Sequence, residues 1–395
     1  MADAEQEAGP SVPKKLKRST LEKFCEEFGS DSFELLKKHI FDLKKETMAL
    51  GTFAIGSCNA ADPDYGYCFT KAACSLRPTK VKVTFGSLFL EPFKALNELF
   101  CIKSLPKDGP VLMCVQKLME FMLNKEMQKP LEDLNDCSDE TELTVILATH
   151  LFSQLSISPS FTVNNRNHSQ LKRCPCTSEK CPKTGWKGKI HYGDTSIGNS
   201  EVWHGFLDLV MDGAEVLIDT VDGEEDTVTY IDSTIEIKQK DFEMTDVSAG
   251  SRIAQVAAET IVYSFYYRSL HPESSHFLIP SIGVSGSEVL FYFYDSVNDV
   301  LLGSTTFKLM DFEDKLDITT VFAVWMVLNH KYLCNGLNEL KLDQVPKSHF
   351  TEHAKSKLHV YREELKKGNL DFRHKKVWSV DPRTFTGTVL LGDKE

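Results

Sequence analysis

A chain of 395 residues is long enough for two domains or for one elaborated domain with a large core. Its 42% apolar and 26% charged residues are the make-up of an ordinary globular protein, and a formal net charge of −12 weighs against one that coats duplex DNA by phosphate contact alone. No stretch has the form of a secretory signal or reaches membrane-spanning length, so an intracellular protein with no membrane partner is expected, its eleven cysteines reduced.

Residues 1–18 read as a disordered tail closed by Pro13-Lys14-Lys15-Leu16-Lys17-Arg18. That run has the form of a short nuclear-import signal and equally that of a solvated basic tail. Ser19 offers a helix cap. A further helix is expected over 33–50, where Leu35, Leu36, Ile40 and Leu43 recur at helical spacing, and others over 93–100 and 112–124. Residues 19–135 therefore read as a mostly helical N-terminal region.

Residues 139–155 form an amphipathic helix with acids in its first turn. The span 158–200, rich in Asn, Ser, Pro and Gly, reads as loop. Strands are expected over 201–211, 215–220 and 227–238, then a long helix over 248–270 with Ile253, Val256, Ala257, Ile261 and Phe265 on one side. Two more strands follow at 288–295 and 300–307, an apolar helix at 318–332 and a basic helix at 348–367. This alternation predicts an α/β core over 136–335, a mixed central sheet flanked by helices, with a basic C-terminal helix and tail over 336–395. The aromatic run 291–294 could stack bases, but such a run more often marks a strand buried on both faces.

The chemistry concentrates in Trp203-His204-Gly205-Phe206-Leu207-Asp208 and in Glu236-Ile237-Lys238. Alternate side chains of a strand share a face, so His204, Phe206 and Asp208 are expected to point one way, and Glu236 with Lys238 likewise. Two carboxylates with a lysine make a divalent-metal site able to polarise a phosphodiester and activate water. The plainer alternative is a strand-end acid and a solvent-facing ion pair of little energetic value.

These residues resemble the PD-(D/E)XK nuclease superfamily, most nearly its RecB-like and phage-lambda-exonuclease-like branch. Gly205-Phe206-Leu207-Asp208 is similar to that branch's glycine, two apolar residues and aspartate. Glu236-Ile237-Lys238 is similar to its E-x-K element. Gln255 lies 17 residues after Lys238, on the next helix, where the branch carries a glutamine. The tyrosine usual four residues later is replaced by Glu259, and 28 residues separate Asp208 from Glu236. The resemblance implies a restriction-endonuclease-like core and metal-dependent hydrolysis of DNA. It assigns Asp208 and Glu236 to magnesium or manganese, Lys238 to charge stabilisation and Gln255 to positioning water or phosphate. An earlier helix often adds a ligand, for which Glu140, Glu142 and His150 are candidates, and His204 is a further candidate contact. The alternative function is an inactive nuclease-fold protein that binds nucleic acid or a protein partner.

A second constellation is His168, Cys174-Pro175-Cys176, Cys181 and His191. Cys174, Cys176, Cys181 and His191 could hold a structural zinc and close a loop too polar to fold by burial. The alternative is a set of loop thiols. The basic residues of 353–376 are the best phosphate-binding surface in the sequence; residues 341–395 hold 12 Lys or Arg against 8 Asp or Glu.

Overall fold

The aromatic segment Phe291-Tyr292-Phe293-Tyr294 sits at the middle of the fold, because all four side chains need cover and a strand sends alternate ones to opposite faces. Phe291 and Phe293 enter one apolar cluster and Tyr292 and Tyr294 another, so the sheet between them is covered on both sides. The computed structural model describes residues 49–62, 67–99, 106–132, 134, 140–166, 171–176, 181, 190–211, 216–220, 252–285, 287–312, 315–337 and 342–370. Glu236, Lys238, the basic run 13–18 and the strand expected over 227–238 lie outside those residues.

The strands in chain order are β1 (Ala49–Cys58), β2 (Cys74–Thr84), β3 (Phe161–Asn164), β4 (Tyr192–Gly193), β5 (Ser196–Gly198), β6 (His204–Phe206), β7 (Leu209–Met211), β8 (Val216–Thr220), β9 (Leu278–Ser285), β10 (Glu288–Asp295), β11 (Val300–Gly303), β12 (Phe307–Lys308) and β13 (Lys366–Lys367). The longer helices are α1 (Leu90–Asn97), α2 (Gly109–Leu123), α3 (Lys125–Glu132), α4 (Glu140–Leu147, continued through Ala148–Phe152 and Ser153–Leu155), α5 (Arg252–Leu270), α6 (Ile318–Leu328) and α7 (Leu358–Glu363). A ten-stranded mixed sheet runs β2-β1-β11-β10-β9-β8-β7-β3-β4, with β12 paired to β10. Its parallel pairs are β8 with β9 and β3 with β4. A second sheet, β13-β5-β6, has three strands. Helices α1, α2, α4 and α6 cover one face, and α5, α7 and the turn Phe350–His353 cover the other. The molecule is an α/β protein with a large mixed sheet flanked by helices, and among the described residues no helix is long and apolar enough to cross a membrane.

Three local expectations are corrected, and one strand is unexpected. The region 19–135 carries strands among its helices where it is described, since β1 and β2 occupy 49–58 and 74–84 and extend the main sheet. Their apolar residues alternate, Leu50 to one core and Phe53 and Ile55 to the other, so the period is that of a strand. The span 158–200 contributes β3, β4 and β5. Strand β9 escapes a propensity reading because Pro280 lies inside it, opposite Phe293, and proline cannot donate to a ladder. The basic helix over 348–367 is broken into Phe350–His353, a 3-10 turn at Lys355–Lys357, α7 and β13.

The segment after β11 is clamped to the turn before it. Asp299, buried and left-handed at φ 54°, accepts hydrogen bonds from Tyr294 Oη at 2.9 Å, from Ser348 Oγ and from Thr351 Oγ1 at 2.7 Å. Phe350 is thereby held against Trp203, Phe265 and Tyr361. Asp299→Ala leaves two buried donors, Tyr294 and Ser348, and the half-buried Thr351 without their acceptor and puts a poor residue in the left-handed region. A loss of roughly 2–4 kcal/mol is expected, read as a lower urea midpoint with unchanged slope.

Candidate metal centres

The predicted continuous strand over 201–211 is broken, and the break determines where Asp208 goes. β6 pairs in the small sheet and β7 in the large one, so Leu207 and Asp208 form the crossing between them. His204 and Asp208 therefore do not share a face of one strand. The buried His204 is engaged in holding its own turn, with Nδ1 donating to the carbonyl of Val202 at 2.8 Å and lying 3.1 Å from that of Asn199. Gly205 is required by the close approach of a neighbouring ring. A Cβ there would lie 2.5 Å from the buried ring of Phe69.

Asp208 is half-buried, and its carbonyl accepts from the backbone N–H of Asn164 at 3.0 Å, tying it to the end of β3. Facing it is α5. Gln255 and Glu259 are four residues apart, one helical turn, and so lie on the same face. Gln255 Nε2 donates to Glu259 Oε1 at 3.1 Å. Glu259 is 1% exposed, an unusual position for a carboxyl. Burial pushes it well above the ordinary glutamate value; the nearby charge of Asp208, and then Cys68, push the same way, while the Gln255 hydrogen bond opposes them. Asp208, Gln255 and Glu259 are thus brought together at the junction of the two sheets with α5. Close by, the Arg166 guanidinium lies 3.7 Å over the Phe206 ring. Glu259 is a residue the sequence reading noticed only as a missing tyrosine; its spacing from Gln255 was the available signal.

The second constellation is assembled from a different histidine. His150, Cys174, Cys176 and Cys181 place their ligand atoms within 4.8 Å of one another, and the group could hold a metal ion. His191, the histidine expected to join the cysteines, is exposed and has Nδ1 3.1 Å from the hydroxyl of Thr162 instead. The reason is topological: α4 runs beneath the loop and brings His150 up to it, whereas His191 belongs to the approach to β4. His150 is fully buried on the π-helical turn Ala148–Phe152, a widened geometry common where a helix presents a functional side chain. Its Nδ1–H donates to the carbonyl of Met127 at 3.0 Å, which leaves Nε2 as the lone-pair nitrogen, 3.1 Å from Cys176 Sγ and 3.7 Å from Cys181 Sγ. Burial holds the imidazole below the usual histidine value, and so neutral, and raises the Cys181 thiol to about 11. Both ring nitrogens are engaged at this cluster, so His150 is not taken as a metal ligand alongside Asp208. Glu142 sits half-buried near the start of α4. The chain matches no family model, no curated protein and no solved structure.

Glu259 gives a stability signature with a defined sign. A carboxyl raised on folding binds more protons folded than unfolded above the ordinary glutamate pKa, so stability falls as pH rises from there through the raised value. Glu259→Gln keeps the shape and the Gln255 partner but removes the ionisation. Urea unfolding from pH 5 to 9 without added divalent metal is expected to show a smaller decline in the variant; an unchanged slope would place the Glu259 carboxyl in water.

Proposed function

We propose that this chain is a metal-dependent nuclease that hydrolyses DNA phosphodiester bonds on a restriction-endonuclease-like core. One observation carries the reading: Glu259, a carboxyl buried to 1% exposure on α5 and bonded by Gln255, lies near the Asp208 carboxylate at the crossing between two sheets. Also in support, the chain has the mixed central sheet flanked by helices that the resemblance implies.

The donor set fits a hard divalent cation. A carboxyl kept from water beside a second carboxylate is costly to ionise alone, and a cation between them offsets that cost. Asp208 and Glu259 would hold magnesium or manganese, with Glu236 joining them on the strength of the resemblance. The bound ion would polarise the phosphodiester and lower the pKa of a coordinated water. Gln255 fixes the orientation of the Glu259 carboxyl through its amide hydrogen bond. On the resemblance, Lys238 would stabilise charge on the phosphate. Arg166, held flat by Phe206, offers a further cation to a nucleic-acid backbone at the same rim.

A second reading is a nuclease-fold protein that binds without cutting. The net charge of −12 favours a protein partner over nucleic acid in that case. Labelled single- and double-stranded DNA incubated with full-length protein in magnesium, manganese or chelator separates the two. Metal-dependent cleavage is expected, with Asp208→Ala, Glu259→Gln and Lys238→Ala each lowering it roughly 100-fold or more while far-ultraviolet circular dichroism stays unchanged. Binding with no cleavage under any metal would identify the second reading, and full activity in Asp208→Ala would overturn the site.

A further inference from the structure

We propose that His150, Cys174, Cys176 and Cys181 form a closed tetrahedral zinc site that pins the loop between β3 and β4 onto helix α4, independently of any nuclease activity. Four ligand atoms of this chemistry, all within 4.8 Å of one another, fit a single zinc ion with little rearrangement. Tetrahedral zinc with bonds of about 2.0–2.3 Å sets its ligands roughly 3.5–3.8 Å apart. Of the observed distances from His150 Nε2, the 3.7 Å to Cys181 falls within that spacing and the 3.1 Å to Cys176 lies just below it. The imidazole is already prepared: its other nitrogen is committed to the Met127 carbonyl, the outer hydrogen bond that orients zinc-ligating histidines.

Ligand chemistry selects the metal. Three sulfurs and one imidazole suit zinc, whereas magnesium and calcium demand oxygen donors. Four protein ligands leave no open position, so the site is structural and not hydrolytic. On binding, three thiols release their protons to solvent, and the two positive charges of zinc meet three thiolates, for a net charge of −1.

The location gives the ion its task. The loop leaves β3 at Asn164, whose amide bonds the carbonyl of Asp208, and returns through β4, with Tyr192 accepting from the Leu171 backbone at 2.8 Å. Leu171 and Cys174 are only partly buried against the core, so burial alone holds these described residues of the loop weakly. A metal clasp at its middle supplies the missing constraint, and it anchors to a fully buried side chain of a core helix.

The test uses reduced full-length protein, with bound metal measured by elemental analysis after desalting and coordination read by cobalt replacement. The expected result is about one zinc per chain and the intense visible bands of tetrahedral cobalt with thiolate charge transfer. Cys181→Ser and Cys176→Ser are expected to lose most of that zinc, and His150→Ala to lower its affinity at least about 10-fold. His191→Ala, Asp208→Ala and Glu259→Gln should keep it. Limited proteolysis of the wild type is expected to cut within 165–190 only after chelation. Metal-free protein after refolding with zinc, octahedral cobalt, or full zinc retention in both cysteine variants would overturn the proposal. So would loss of the ion in His191→Ala with retention in His150→Ala.

Discussion

A wide sheet whose central strands are apolar on both faces cannot stand in water, and that constraint organises the molecule. β7 to β11 send residues such as Leu209, Ile218, Ile282, Phe293 and Leu302 to one side and Val210, Leu217, Ile279, Tyr294 and Leu301 to the other. At about 25 cal/mol per Å² of apolar surface, leaving either face wet would forfeit more than a domain's net stability. Helices must therefore cover both sides, and α5 does so on one. That requirement brings Gln255 and Glu259 against the sheet; the polar pair travels with an otherwise apolar helix.

Glu259 is then the exception within the rule. A helix face built for burial carries Ala254, Ala257, Ala258 and Ile261 around it, and a carboxyl among them is held away from water. Hydrophobic packing of α5 does not need that carboxyl, and its ionisation costs stability, which is the pattern of a residue kept for chemistry. In the proposed nuclease the same burial that raises Glu259 makes a divalent cation its natural counter-charge.

The two candidate centres share a support without sharing ligands. Asn164 stands at the end of β3, joined through its backbone to Asp208 on one side and leading into the cysteine loop on the other. A clasp on that loop would steady the strand end from which Asp208 is positioned. The large sheet is the scaffold, and the polar crossings at its margin carry the candidate groups.

The sequence alone determined the α/β class, because the helical spacing of apolar residues in α5, the unbroken apolar run of α6 and the aromatic run in β10 dictate local structure. It also singled out Asp208, Gln255 and the three cysteines of the loop, since those residue types carry chemistry wherever they fall. It misjudged β1, β2 and β9, where glycines or an internal proline mask strand character that neighbouring strands enforce. Only the tertiary structure decided that the 201–211 segment divides between two sheets, that Glu259 rather than His204 faces Asp208, and that His150 rather than His191 meets the cysteines. Each of those pairings joins residues far apart in the chain. Local propensity has no range to specify them; the packing of helices over a two-faced sheet does.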